Sequence, residues 1–165
     1  MHSGELVVEN QGQNVFHMIT FITKSFNELS TLELYQLLQL RAEVFVVEQN
    51  CPYLDMDDKD QKSFHVLGHD NGKLVACTRL VPVGVSYDLE PSIGRVVTHP
   101  SVRSLGYGKL LMEYSIAETK KRFNSPVIVI GAQCYLDKFY QNLGFVPEGE
   151  MYLEDNIPHR TMRLT

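Results

Sequence analysis

No run of eighteen apolar residues occurs in the chain, so no helical membrane span of ordinary length is expected. The N-terminal region lacks a basic patch followed by an apolar stretch, so no secretory signal is expected. Cysteine is scarce: Cys51, Cys77 and Cys134 have neither metal nor redox spacing and cannot all pair within the chain. Reduced thiols in a cytoplasmic protein are the expectation. Positive charge is also short, with 15 Lys and Arg against 20 Asp and Glu, a net charge of −5. That balance argues against nucleic acid or an anionic membrane as the main partner, and it makes a local basic cluster more informative.

Repeats, low-complexity tracts and internal linkers are absent too. A chain of 165 residues with 44% hydrophobic content is therefore read as one domain. Residues 1–17, "MHSGELVVENQGQNVFH", are polar, weakly patterned and precede a second methionine. They are read as an N-terminal extension or cloning remnant, with the domain over 18–165.

What is present is an alternation of strand and helix signals. "MITFITKSF" reads as a strand. "STLELYQLLQLRAEVFVVEQN" opens with a capping box, Ser30 to Glu33, and continues at helical spacing through Leu34, Leu37, Leu38 and Arg41 to Phe45. "NCPYLDMDDKDQK" reads as an acidic loop. "SFHVLGH" and "KLVACTRLVPV" flank Asp70-Asn71-Gly72, a hairpin signal. "SIGRVV" is a strand. "KLLMEYSIAETKKR" is a helix with Leu110, Leu111, Tyr114 and Ala117 on one face, and Lys120, Lys121 and Arg122 at its negative end. "PVIVIGA" reads as a strand buried on both faces. "CYLDKFYQNLGF" is a short helix closed by Gly144, and "EGEMYLE" and "HRTMRL" are strands. The expected fold is α/β: a mixed sheet with helices on both faces.

Between the "SIGRVV" strand and the long helix lies "SVRSLGYGKLLMEY". Arg95, Arg103 and Lys109 surround two glycines there. A helix entered from a strand presents unpaired N–H groups and partial positive charge, and glycine lets a bulky anion approach. Pyrophosphate suits such a place. A P-loop would need Ser or Thr after Gly108-Lys109, where Leu110 stands. A dinucleotide fingerprint would need a small residue at 111, which is leucine. Arg-x-x-Gly-x-Gly, met by Arg103, Gly106 and Gly108, is the pattern that fits.

On these residues the chain resembles the GNAT N-acetyltransferases, and within them the ElaA-like branch. "IGRVVTHPSVRSLGYGKLLME" and "KFYQNLGF" carry the superfamily motifs. "LYQLLQLRAEVFVVEQNCPYLDMDDKD" and "YLEDNIPH" carry the branch. The resemblance implies a sheet splayed between its two central strands, with acetyl-CoA as cosubstrate in the gap. It implies that the backbone of Val96, Val97 and Thr98 pairs with pantetheine amides. It further implies that Arg103 and the N–H groups of Ser104, Leu105, Gly106, Tyr107, Gly108 and Lys109 form the pyrophosphate grip, and that Gln133 contacts the cofactor. Leu136, where relatives carry a small residue, departs from the pattern.

Acyl transfer to an amine needs a neutral nitrogen, a donor for the oxyanion and a proton for the departing thiolate. The resemblance makes Tyr140, four residues before Gly144, the acid for the thiolate. A core tyrosine is the plain alternative. Glu48, His65, Asp155 and His159 are candidate bases, and Asp155 and His159, within a branch motif, are candidates for base or acceptor pocket. Cys134 reads as structural, since the family transfers the acyl group directly. The acidic runs Asp55–Asp60 and Glu148–Asp155 read as solvated surface, with a cationic acceptor as the rival reading. No metal-ligand spacing stands out, and no metal is expected. A non-catalytic acyl-CoA sensor and an acyl-homoserine-lactone-synthase-like acyltransferase remain as alternatives. The acceptor amine and the oligomeric state, homodimer included, stay open.

Overall fold

A computed structural model describes Gly4, Glu5 and residues 18–165; the rest of the proposed N-terminal extension lies outside the described residues. Five strands pair antiparallel in chain order: β1 (Gly4–Glu5), β2 (Ile19–Ser25), β3 (Phe64–Asp70), β4 (Lys73–Val81) and β5 (Ser92–Thr98). A second antiparallel sheet contains β6 (Ile128–Gln133), β7 (Val146–Glu154) and β8 (Ile157–Leu164), in the order β6-β8-β7. The helices are α1 (Thr31–Arg41), α2 (Tyr107–Phe123) and α3 (Asp137–Gln141). From residue 18 onward, the alternation read from the sequence holds element by element.

Local chemistry explains the boundaries. Ser30 Oγ accepts from the Glu33 amide at 3.2 Å, and the Glu33 carboxylate accepts from the Ser30 amide at 2.8 Å, so the capping box starts α1. Asn71 and Gly72 both take positive φ, 49° and 78°, which gives the tight turn that pairs Asp70 with Lys73. Asn124, with φ 47°, ends α2 behind Lys120, Lys121 and Arg122.

Strand alternation sends β3 and β4 side chains to two faces. Val66, Ala76 and Leu80 pack with Tyr107, Leu111 and Met112 of α2. Leu67, Leu74 and Cys77 pack with Leu37 and Leu40 of α1, on the other face. Helices therefore cover both faces, as expected.

The buried stripe of α2 differs from the expected one. It runs through Tyr107, Leu111, Met112, Ser115 and Thr119, while Ala117 is exposed. Two hydroxyls can be buried because both are satisfied: Ser115 Oγ lies 2.7 Å from Thr78 Oγ1, and Thr119 Oγ1 donates to the Ser115 carbonyl at 2.7 Å. After Arg41 the first helix widens into a π-helical turn, Ala42–Glu48, which the periodicity did not announce. Among the described residues no helix is long and apolar enough to cross a membrane.

The two sheets meet where β5 and β6 begin. There the Val129 amide donates to the Pro91 carbonyl at 3.1 Å. No strand pairing joins β5 to β6 beyond that bond, so the two strands part.

Candidate active site

The parting of β5 and β6 opens a cavity of about 900 Å³ that reaches both faces of the sheet. Its size is that of a small-molecule site. Val96, Val97 and Thr98 line it from β5, and Ile130, Gly131 and Gln133 from β6. Gly108, Phe139 and Tyr140 close it on the α2 side, while Val44, Phe45 and Glu48 of the π-helical turn close it on the α1 side.

Strand β5 reaches the cavity through a bulge. Cys77 pairs with Val97 and Arg79 with Gly94, so Arg95 and Val96 together oppose Thr78. Arg95 adopts φ 49°, a conformation that costs a non-glycine residue about 1–2 kcal/mol. Its side chain is held in compensation. Arg95 Nε lies 2.7 Å from Asp55 Oδ1, and Nη2 donates to the Asp55 carbonyl at 2.9 Å and to Asp57 Oδ2 at 3.3 Å. The guanidinium also sits 5.9 Å from the Tyr53 ring centre.

This corrects two expectations. The Asp55–Asp60 run is neither solvated surface nor an acceptor-binding patch, because three of its carboxylates are consumed by arginines. Arg41, fully buried, donates to Asp55 Oδ2 at 2.7 Å and to Asp60 Oδ1 at 2.8 Å. Arg79 forks onto Asp57 at 2.6 and 2.7 Å and reaches Asp60 at 3.0 Å. Burial pushes the Asp57 and Asp60 carboxyls up, but the arginines outweigh it and hold both below the usual carboxylate range. The basic trio around the glycines is also dispersed. Arg95 belongs to this buried network, Arg103 forks onto Glu48 at 2.5 and 2.7 Å, and Lys109 lies 3.6 Å from Glu113 on an exposed face.

The glycine loop folds as a 3₁₀ turn, Pro100–Leu105, that hands over to α2 through Gly106 at φ 75°. Arg103 and Gly108 lie on the cavity wall. The Tyr107 ring is buried in the core, while Ser104 and Gly106 are exposed and Leu105 is half-buried. The Lys109 amide donates to the Gly106 carbonyl at 3.2 Å. The Tyr107 and Gly108 amides open α2, where a helix has no carbonyl of its own to offer. A Cβ at Gly108 would sit 3.9 Å from Thr98 Cγ2 and 4.0 Å from Phe139 Cζ, in ordinary contact with both.

Tyr140 lines the cavity with its ring almost wholly buried, edge-on to Phe139 and Phe145 at 5.1 and 6.0 Å. Burial raises its hydroxyl pKa well above the ordinary value, so it stays protonated. Gln133 Nε2 donates to Gln49 Oε1 at 3.4 Å. Among the candidate bases, Glu48 is held low by its hydrogen bonds from Arg103, which suits an anchor rather than a base. His65 is fully buried away from the cavity wall, its Nε2 3.0 Å from the Asp60 carbonyl oxygen, and burial lowers its pKa. Asp155 and His159 both line the cavity. Asp155 occupies the β7–β8 turn at φ 51°, and His159 stacks on Tyr152 with Nδ1 2.8 Å from the Ile157 carbonyl oxygen. Cys134 is off the wall, and the three cysteines are unpaired.

A splayed sheet, a bulged strand beside the gap and a glycine-opened helix recur in known proteins. The family model described as "Acetyltransferase (GNAT) domain" matches residues 31–165. The chain belongs to the GNAT acetyltransferase family. Within it the protein is ElaA-like: it is 43% identical over 145 residues to Protein ElaA of Escherichia coli K12, covering 86% of this chain and 94% of that one. A UPF0039 protein of Schizosaccharomyces pombe is 43% identical over 148 residues, covering 88% of this chain and 97% of the relative. The crystal structure of Escherichia coli ElaA superposes with a TM-score of 0.83 at 40% identity, over 90% of this chain and all of that one. An acyl-CoA N-acyltransferase from Pseudomonas aeruginosa superposes with a TM-score of 0.81 at 39% identity, over 88% and 99%. This GNAT fold implies an acyl-CoA cosubstrate. The residues present fit one, since Gly108 puts no side chain on the cavity wall at the amides that start α2.

Proposed function

We propose that this GNAT protein is an N-acetyltransferase that passes the acetyl group of acetyl-CoA to an amine by direct attack. The observation that carries this reading is the cavity between β5 and β6, which runs from the start of α2 on one face to a chamber lined by Tyr152, Asp155 and His159 on the other. The acyl donor enters from the α2 side, with its pyrophosphate at the Tyr107 and Gly108 amides and its pantetheine along Val96, Val97 and Thr98. Arg103 borders that path, and Gln133 borders the gap from the opposite face. The amine enters from the chamber. Tyr140, protonated and on the cavity wall, donates to the departing sulfur in this reading. Asp155 and His159, on the chamber wall, are the candidates to receive the ammonium proton.

Acetyl-CoA binds only the folded, splayed sheet in this reading. At a hundredfold over its dissociation constant it should add about 2.7 kcal/mol of stability. Thermal melts with millimolar acetyl-CoA, followed by a CoA-release assay over an amine panel, test the reading. A melt that does not move rejects it.

Gly108→Val gives a sharper test of the loop. The first carbon fits at ordinary contact distance, so the fold should survive, while the added bulk falls on the cavity wall. Calorimetric CoA affinity should fall at least about tenfold, a loss of about 1.4 kcal/mol. Unaltered binding would make the loop a plain helix entry. Gly106→Val is the poorer probe, since φ 75° strains any side chain there whatever the space.

A further inference from the structure

The chamber on the far side of the gap has a consistent set of walls. Directly paired residues of an antiparallel ladder share a face, and so do alternate residues of one strand. Gln133 pairs with His159, Tyr152 with His159, and Glu154 with Ile157. Gly131, Gln133, His159, Tyr152 and Glu154 therefore project to one side of the second sheet. Ile130, Ala132 and Met162 project to the other, into the core beneath α2.

Gly131 is the floor of this chamber. A Cβ there would lie 2.7 Å from Tyr152 Oη and 3.7 Å from Tyr87 Oη, so two phenol groups converge where the glycine has no side chain. Glu154, exposed at the end of β7, lines the same cavity as both phenols. Burial and the neighbouring Tyr152 and Glu154 groups push the Tyr87 hydroxyl up to about 12. Among the described residues Glu154 has no ion-pair partner, whereas the cavity arginines are committed: Arg79 and Arg95 to aspartates, Arg103 to Glu48. The remaining cation is Lys59, whose Nζ donates to Ser86 Oγ at 3.3 Å.

We propose that Glu154, with the Tyr87 and Tyr152 phenols, anchors a second positive charge on the acceptor, so that the preferred substrates are aliphatic diamines. This rests on the acetyltransferase reading above. A carboxylate paired with the reacting nitrogen would favour its ammonium form and oppose the deprotonation that attack requires. A carboxylate set to one side does the opposite: it holds the molecule by one ammonium and leaves the other nitrogen free to lose its proton. Glu154 pairs with Ile157, two residues along β8 from the candidate base His159, an offset of roughly 7 Å. A diamine with about four carbons between its nitrogens spans that offset. Phenol oxygens beside a carboxylate also accept hydrogen bonds from an ammonium.

The full chain is assayed with saturating acetyl-CoA and three acceptors of one length: 1-aminobutane, 1,4-diaminobutane and 4-aminobutyrate. The diamine should exceed the monoamine in kcat/KM by about tenfold or more, the worth of one charged hydrogen bond. Glu154→Gln should collapse that preference through the KM of the diamine. Equal rates for monoamine and diamine overturn the proposal, as does preference for 4-aminobutyrate, which would assign the chamber to Lys59. Equal losses on all acceptors in Glu154→Gln also overturn it. If no acceptor turns over, 1,4-diaminobutane is titrated calorimetrically into the protein–CoA complex. Binding that Glu154→Gln weakens tenfold supports the anchor, and absence of binding to the unaltered chain rejects it. An acetyl-CoA melting shift without diamine selectivity rejects this inference alone; no shift rejects the acetyltransferase reading beneath it.

Discussion

Arg41→Met should destabilise the protein by about 3–5 kcal/mol, because it removes one member of a buried charge network and leaves its partners in place. Three guanidiniums, of Arg41, Arg79 and Arg95, face three carboxylates, of Asp55, Asp57 and Asp60. Arg41 is fully buried and binds two of the three aspartates. Methionine fills much of the same space, so packing alone predicts a far smaller loss. The expected fall in melting temperature is roughly 6–20 °C for a chain of this size.

The second half of the test restores neutrality. Adding Asp60→Asn to Arg41→Met returns the network to two charges of each sign and should recover a substantial part of the loss. A melt of Arg41→Met within a degree or two of the parent would show that the network contributes nothing. So would a double variant less stable than the sum of its parts. The acid limb follows from the same groups. Asp57 and Asp60 have carboxyl pKa values depressed in the folded state, so their contribution is present above the unfolded value of about 3.9. It is lost as pH falls through the folded values.

The network also shows where sequence reading stops. The capping box at Ser30, the Asn71-Gly72 turn and the Gly106–Gly108 helix entry were legible because each is local: the residues that interact lie within a few positions. The splayed strands were legible through a family motif, since nothing in "SIGRVV" or "PVIVIGA" alone says the two strands will part. The ion-pair network was illegible. Arg41, Arg79 and Arg95 lie on three different elements, and a run such as "DMDDKD" looks identical whether it meets water or three guanidiniums. Periodicity cannot pair charges across sequence separations of 14 to 40 residues.

The α2 stripe failed for a related reason. Ser115 and Thr119 count as polar in any hydropathy pattern, yet each is buried with a partner at 2.7 Å. One of those partners, Thr78, lies 37 residues away. The candidate bases sorted by the same principle. Glu48 and His65 were equal to Asp155 and His159 as residue types. Only the fold distinguished two already engaged elsewhere, one by Arg103 and one in the core, from two on the chamber wall. Gly131 carried no motif at all. Its meaning comes from Tyr87 and Tyr152, which reach it from a loop and from another strand.

Tyr140→Phe should lower kcat about 10²-fold, the lower part of the range for general acid catalysis, while melting temperature and CoA affinity change little. Phenylalanine keeps the edge-on packing on Phe139 and Phe145 and removes only the hydroxyl. Burial sets the size of the effect. It raises the Tyr140 pKa, which keeps the donor protonated at every working pH but also makes it a weaker acid than a thiol of pKa about 8.5. Full proton transfer to the sulfur would therefore run uphill. In the proposed reaction the hydroxyl would act by donating a hydrogen bond that strengthens as negative charge develops on the leaving sulfur, an interaction absent from the ground state. The loss should accordingly fall on kcat and kcat/KM together, with KM for acetyl-CoA near its parent value. The parent should show no descending limb from this group up to about pH 10, because a raised tyrosine pKa lies beyond it. Steady-state kinetics from pH 6 to 10, with single-turnover measurements to confirm that chemistry limits the rate, decide the matter. An unchanged single-turnover rate would make Tyr140 a core residue and leave the sulfur to water.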